Sequence, residues 1–78
     1  MTPTLKSAEY LDCYRLRLSF SDGKTGSIDL ASELWGEIFE PLKDLDLFRS
    51  FKVDHELGTI VWPNGADFAP EFLYQTAA

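Results

Sequence analysis

The sequence predicts an α+β fold, a small and mostly antiparallel sheet of four or five strands with short helices packed on one face. Three observations carry this prediction: an alternating apolar and polar run at residues 14–20, a Ser-Asp-Gly turn directly after it, and a β-branched and aromatic run at residues 59–62. Alternation with a period of two is typical of a strand with one buried face, and β-branched and aromatic residues favour strands. We expect residues 1–78 to form one domain, because the chain is near the lower size limit for a self-sufficient core.

The register of the first hairpin follows from its apolar pattern. A three-residue loop at residues 21–23 places Leu16 opposite Ile28, whereas a two-residue loop would join an apolar face to a polar one. A slip of one residue turns every apolar side chain to the other face, so we predict the longer loop. This loop also puts Gly23 at its third position, where a left-handed backbone is needed. Residues 5–11 are assigned to a preceding strand.

The rest of the chain is expected to combine short helices with two further strands. These elements are a helical turn at 31–34, a helix at about 45–50 with Asp44 as its N-cap, strands at 51–54 and 59–62, and a terminal helix with Asp67 as its N-cap and Pro70 in its first turn. An aspartate at the N-cap accepts a hydrogen bond from a free backbone N–H group. Proline is tolerated in a first helical turn because its missing N–H group would have no partner there.

The charge pattern limits which classes of molecule the chain is expected to bind. The formal net charge is −6, and the 7 basic residues are scattered between Lys6 and Lys52. Binding to nucleic acid depends on clustered Lys and Arg side chains that neutralise phosphates. We therefore expect no direct binding to nucleic acid and no binding to an anionic membrane surface. An acidic surface suits a basic protein partner, but plain solubility is the more general explanation.

Cysteine usage and hydropathy bear on the compartment. The single cysteine, Cys13, allows no internal disulfide bond, which favours a reducing compartment. Residues 1–10 lack the apolar stretch of a signal peptide. No apolar run reaches the ~18 residues that a membrane span needs. These features predict a cytoplasmic protein.

We predict no catalytic, cofactor-binding or metal site from the sequence. His55 is the only histidine, and a nucleophilic pair would need it within hydrogen-bond reach of Cys13. We expect His55 to lie exposed in a turn and Cys13 to be buried and inert. One histidine and one cysteine cannot complete the ligand set of a structural zinc site, and the acidic residues do not follow the spacing of a calcium loop. Glycine-rich phosphate loops and the Gly-x-Ser-x-Gly motif are absent, so we predict that the protein is not an enzyme.

The segment Trp-Pro-Asn-Gly-Ala-Asp at residues 62–67 is the most unusual one in the chain. It has two interpretations. In the structural one it is a strand end, a tight turn and a helix cap, which accounts for each residue type in turn, and we favour this interpretation. In the functional one Trp62 is an apolar anchor on the surface, a role in which tryptophan is over-represented. The candidate interaction patch then consists of Trp62, Asn64, Asp67 and Tyr74.

Four strings of residues carry a resemblance to a known bacterial family. They are the run from Thr59 to Pro70 followed by Leu73 and Tyr74, the Leu-x-Leu-x-Phe-x-Asp-Gly string at 16–23, the Ile-Asp-Leu string at 28–30, and the Pro-Leu-Lys-Asp string and following Leu-Phe pair within 41–48. Together they resemble the domain-of-unknown-function family 2442. The resemblance implies a small α+β domain in a prokaryotic cytoplasm and no reaction, because that family has no established catalytic residues.

The same resemblance implies a role in protein binding. Some relatives in the family look like an N-terminal domain fused to a helix-turn-helix, and others are similar to partners in toxin–antitoxin gene pairs. The sequence ends at Ala78, so we expect no helix-turn-helix and only the protein-binding half of such an arrangement.

The expected function is a non-catalytic protein-interaction module of antitoxin-like or regulatory type. The alternative is a small-molecule sensor or minor enzyme with a pocket between the sheet and the C-terminal helix. Charge disfavours a third option, an accessory domain for nucleic acid binding. We also expect self-association as a homodimer, because small cores and unprotected sheet edges are often completed by pairing.

Overall fold

A computed structural model describes residues 3–77, and within them it confirms the predicted α+β class. The elements are β1 (Leu5–Asp12), β2 (Arg15–Phe20), β3 (Thr25–Asp29), a 3₁₀ turn (Ala31–Glu33), a second 3₁₀ turn (Glu40–Lys43), α1 (Leu45–Phe48), β4 (Lys52–Asp54), β5 (Thr59–Val61) and α2 (Pro70–Thr76). The strands form two antiparallel sheets, β1-β2-β3 and β4-β5, instead of one sheet. A backbone hydrogen bond of 2.9 Å from Leu5 to Gly58 links β1 to the loop of the β4–β5 hairpin.

The predicted register and loop of the first hairpin are confirmed. Leu16 lies opposite Ile28 in the β2–β3 pair. The N–H group of Phe20 donates to the carbonyl oxygen of Lys24 at 2.8 Å, and the N–H group of Gly23 donates to the carbonyl oxygen of Phe20 at 3.0 Å. These two bonds close a three-residue loop in which Gly23 has a φ of +94°, a conformation that glycine adopts without steric cost.

The core lies on one face of the first sheet. The β2 side chains Leu16, Leu18 and Phe20 are buried, whereas Arg15 and Arg17 on the opposite face are exposed. Later elements add buried side chains to the same cluster, namely Leu30, Leu34, Leu42, Phe48, Ile60, Trp62 and Leu73. The helices and the second hairpin therefore pack against one face of β1-β2-β3, and the other face meets solvent with a polar surface.

Helix α1 begins where the sequence predicts and ends earlier. The Asp44 carboxylate accepts a hydrogen bond of 2.9 Å from the N–H group of Asp46, which confirms the predicted N-cap. The helix ends at Phe48 instead of near residue 50. Both the backbone N–H group and the hydroxyl group of Ser50 donate to the carbonyl oxygen of Leu47. A serine that bonds to a nearby carbonyl group in this way competes with continuation of the helix.

The terminal helix has a different N-cap from the predicted one. Helix α2 begins at Pro70, as expected, but its N-cap is Ala69 and no side chain caps it. The predicted cap, Asp67, lies opposite Val61 in an isolated antiparallel bridge. The backbone at Asp67 therefore extends the ladder of β5. Ala69 is extended with φ −65° and ψ 136°, as residues before proline usually are, so the helix cannot start earlier.

Candidate functional site

The turn at residues 63–65 is a three-residue hairpin loop. The N–H group of Trp62 donates to the carbonyl oxygen of Ala66 at 2.9 Å, and that of Gly65 donates to the carbonyl oxygen of Trp62 at 3.0 Å. Gly65 has a φ of +91°. The side-chain oxygen of Asn64 accepts a hydrogen bond of 3.1 Å from the N–H group of Ala66. Residues 62–66 thus form a closed loop that holds the Asn64 side chain in one orientation.

The first hairpin loop has the same geometry, with Asp22 Oδ1 accepting from the N–H group of Lys24 at 2.9 Å. In both loops the second polar atom of the same side chain holds a distant segment. Asn64 Nδ2 donates to the carbonyl oxygen of Ile38 at 2.9 Å. Asp22 Oδ2 accepts from the Tyr74 hydroxyl group at 2.6 Å. One loop therefore anchors the segment around Ile38, and the other anchors helix α2.

Trp62 lies in the core beneath its own loop. Its side chain is 3% exposed, and its indole Nε1 donates to the carbonyl oxygen of Phe48 at 2.8 Å. Phe48 is the last residue of α1, where carbonyl groups lack helical partners, so the indole caps that helix. The ring also packs against Phe48 and Phe68, with centroid distances of 5.8 and 5.7 Å. Trp62 is therefore not available as a surface anchor, which supports the structural interpretation of this segment.

An open aromatic cleft of about 430 Å³ lies beside this loop. The residues that line it are Glu33, Trp35, Gly36, Phe39, Asp67, Phe68 and Ala69. Trp35 is 71% exposed and its neighbour Ile38 is 45% exposed. The rings of Phe39 and Phe68 are stacked with centroids 4.8 Å apart. We call this feature the aromatic cleft.

Hydrogen bonds hold both walls of the aromatic cleft in place. On one wall, the buried Thr59 hydroxyl group donates to the carbonyl oxygen of Phe68 at 2.6 Å. On the other wall, Gly36 adopts a φ of +89°, and its carbonyl oxygen accepts from the N–H group of Glu40 at 2.9 Å. The bond from Asn64 to Ile38 then ties the second wall to the loop beside it. Contacts within the chain therefore define the shape of the cleft.

The two chain segments that contribute residues to the aromatic cleft are acidic. Residues 31–42 and 62–77 contain no Lys, Arg or His, and they contain the acidic residues Glu33, Glu37, Glu40, Asp67 and Glu71. Within residues 3–77, the structure contains an ion pair between the Arg15 guanidinium and Asp12 Oδ2, with an N···O distance of 3.3 Å. No basic side chain in that part of the chain pairs with an acid of these two segments.

Tyr74 belongs to a different surface from the aromatic cleft. Its ring packs edge-on against Phe20 with centroids 5.0 Å apart, and the ammonium group of Lys24 lies 4.2 Å from the ring centroid. The hydrogen bond from the Tyr74 hydroxyl group lowers the pKa of Asp22 and raises the pKa of Tyr74, because it stabilises the carboxylate and the protonated phenol together. This contact fixes α2 to the first hairpin.

The predicted patch is therefore divided among several places. Asp67 lines the aromatic cleft, Asn64 holds the adjacent wall, Trp62 supports Phe68 from within the core, and Tyr74 lies elsewhere. The sequence interpretation missed Trp35 and the stacked phenylalanines. The available signal was a large aromatic residue directly before a glycine, outside any periodic run and so without an assigned place in the core.

The structure places both Cys13 and His55 at the surface. No group of three or more His, Cys, Asp or Glu side chains lies close enough together within residues 3–77 to hold a metal ion. Cys13 is exposed, not buried as expected, because it occupies the tight turn between β1 and β2 with a φ of +41°. His55 is exposed in the β4–β5 loop, as predicted. Across the same residues, no helix is long and apolar enough to cross a bilayer.

Comparison with known proteins identifies a family. A model of the family described as protein of unknown function (DUF2442) matches residues 5–78. No curated protein and no solved structure matches the chain.

Proposed function

Because this chain belongs to DUF2442, a family of proteins of unknown function, we propose its function from its surface: a non-catalytic protein-interaction module, antitoxin-like or regulatory, that binds its partner at the aromatic cleft. The observation that carries the proposal is the position of Trp35, 71% exposed at the edge of a concave aromatic surface. Tryptophan is among the residues that contribute most to binding at protein interfaces.

The exposed apolar side chains around the cleft support this proposal. Trp35 lines the cleft together with the partly buried rings of Phe39 and Phe68, and Ile38, which is 45% exposed, directly precedes Phe39 in the chain. Contiguous apolar surface with a polar rim marks interaction sites in soluble proteins. Trp35 is not among the residues of the buried core, so its exposed ring contributes little to folding. A partner that covers it supplies the burial that the fold does not.

The fixed walls of the cleft also support a binding role. Thr59, Asn64 and Gly36 hold the two wall segments by hydrogen bonds and a constrained turn. Binding costs less free energy when the contacting loops are already ordered. The site therefore suits a partner that docks without large rearrangement of this chain.

The alternative function is a small-molecule sensor or minor enzyme. The volume of the cleft, about 430 Å³, favours it, since ligand pockets span about 300–1,000 Å³. The cleft adjoins the start of α2 instead of lying between the sheet and that helix. Its lining supplies two ionisable side chains, Glu33 and Asp67.

The proposal includes the cytoplasm as location and a homodimer as a second form of association. The single cysteine supports a reducing compartment. Strand β3 lies at the end of the β1-β2-β3 order, and an edge strand presents unpaired backbone groups to a second chain.

A pull-down from the native host tests the proposed function. The tagged chain, its Trp35→Ala variant and a matched Leu57→Ala variant serve as baits; Leu57 is 56% exposed in the β4–β5 loop and does not line the cleft. A stoichiometric protein partner that is lost with Trp35→Ala and kept with Leu57→Ala is the expected result. A partner retained by a folded Trp35→Ala variant would refute the site. No partner, together with a metabolite that raises the melting temperature, would favour the sensor.

A further inference from the structure

We infer that the partner docks through a segment that is both apolar and basic, in which an apolar side chain enters the aromatic cleft and neighbouring Lys or Arg residues meet its acidic rim. This inference rests on the proposed function, because it names the chemistry of the segment that the cleft accepts.

The acidic rim is the first argument. Glu33 and Asp67 line the cleft itself, and the two segments that form it carry three more acids and no basic residue. None of these acids pairs with a basic side chain within residues 3–77. Complementary charges steer encounter and reject partners of the wrong sign. A basic segment of a partner would complement the charge of this surface.

The aromatic surface is the second argument. Phe39 and Phe68 stack 4.8 Å apart and form an apolar floor that favours an aliphatic or aromatic side chain. Trp35 is 71% exposed, so its ring face is accessible to a guanidinium or ammonium group. Tryptophan gives the strongest cation–π attraction among the aromatic residues. Basic residues of a partner can thus contact the Trp35 ring as well as the carboxylates that line the cleft.

The same features disfavour other occupants of the cleft. A second copy of this chain that docked cleft to cleft would bring two acidic rims together, and such like-charge contact opposes association. Phosphate backbones and anionic lipids meet the same repulsion. A basic peptide segment satisfies both the charge and the apolar surface.

Selection from a random peptide library tests the inference and does not require the natural partner to be identified. Short random peptides displayed on phage are selected on the full chain, with counter-selection on the folded Trp35→Ala variant. Enriched peptides should share an apolar side chain flanked by Lys or Arg. Their affinities are then measured by fluorescence anisotropy between about 50 and about 500 mM NaCl, a range in which exposed charges become screened.

Matched variants separate the roles of charge and shape. Trp35→Ala should weaken binding of the enriched peptides at least about tenfold, as loss of an interface anchor does. The double variant Glu33→Gln/Asp67→Asn should weaken it about three- to tenfold at low salt and little at high salt. The double variant Glu9→Gln/Glu56→Gln changes the net charge by the same amount away from the cleft and should bind like the wild type. Circular dichroism confirms that each variant is folded.

The outcomes distinguish the inference from the proposed function. The inference and the proposed function are both supported if the enriched peptides are basic and apolar and if their binding depends on salt, on Trp35 and on the Glu33/Asp67 pair. Peptides that need Trp35 but are neutral or acidic, or that bind the Glu33→Gln/Asp67→Asn variant equally well, overturn the basic partner and leave the interaction site. Failure to enrich any peptide on the wild type over Trp35→Ala overturns both.

Discussion

Replacement of Trp62 by phenylalanine probes the contact between the loop at residues 63–65 and the core. Phenylalanine keeps a six-membered ring in the pocket but removes the indole N–H group. That group donates to the carbonyl oxygen of Phe48 at 2.8 Å at the end of α1. The substitution therefore leaves a buried carbonyl group without this partner and opens a small void beside Phe68.

The expected loss of stability follows from these two effects. An unpaired buried acceptor costs about 1–3 kcal/mol. The two missing ring carbons of Trp62 cost about 1.5 kcal/mol at roughly 0.8 kcal/mol per buried carbon. The sum, roughly 2.5–4.5 kcal/mol, is a large share of the roughly 4–12 kcal/mol expected for a chain of this length. The melting temperature should fall by roughly 10–35 °C.

Urea unfolding followed by circular dichroism measures this change. Trp35→Phe is the control, since that side chain is 71% exposed and its substitution should change the free energy of unfolding by less than about 0.5 kcal/mol. A Trp62→Phe variant within about 0.5 kcal/mol of the wild type would refute the argument that the indole caps α1 and fills the core. Equal effects at the two tryptophans would refute the assignment of one to the core and the other to the surface.

Two further predictions concern the side chains that link the hairpin loops to distant segments. Asn64→Asp keeps the acceptor within its loop but removes the donor to the carbonyl oxygen of Ile38. Hydrogen–deuterium exchange at residues 35–40 should therefore speed up, while the free energy of unfolding falls by less than about 1 kcal/mol. Unchanged exchange would contradict the conclusion that Asn64 anchors this segment. Tyr74→Phe should lower the melting temperature most between about pH 4 and pH 10. The pKa of Asp22 is lowered, so the stabilisation by the Tyr74–Asp22 hydrogen bond is lost as pH falls and the carboxylate becomes protonated. The pKa of Tyr74 is raised, so the same stabilisation is lost as pH rises and the phenol ionises. A melting-temperature difference between Tyr74→Phe and the wild type that does not shrink at either pH extreme would show that the hydrogen bond to Asp22 is not its source.

Regular patterns predicted the parts of the fold that one physical rule dominates. The pairing of Leu16 with Ile28 follows from alternation and from the loop that ends in Gly23, since a slip of one residue exposes the apolar face. The cap at Asp44 follows from local hydrogen bonding. In both cases the deciding interaction lies within a few residues or within one hairpin, where sequence patterns are informative.

The missed features depend on contacts between distant parts of the chain. Asp67 has the residue type of an N-cap, but its backbone pairs with Val61. Because of this pairing, Ala69 is the N-cap of α2 instead. The division of the five strands into two sheets likewise depends on tertiary packing. The aromatic cleft forms where residues 33–39 meet residues 67–69, and no local pattern reports such a meeting. Trp62 and Trp35 have the same residue type but opposite environments, and only the fold separates them.

The anchoring of the cleft wall by an exposed side chain has a consequence for how specificity can change. The segment around Ile38 is tied to the Asn64 loop, and neither Trp35 nor Ile38 belongs to the buried cluster. Substitutions of exposed side chains outside the buried core usually change the free energy of unfolding little. Substitutions at these two positions can therefore retune which partner is accepted while Trp62 and the sheet keep the scaffold intact, so the recognition surface is free to diversify independently of the framework that carries it.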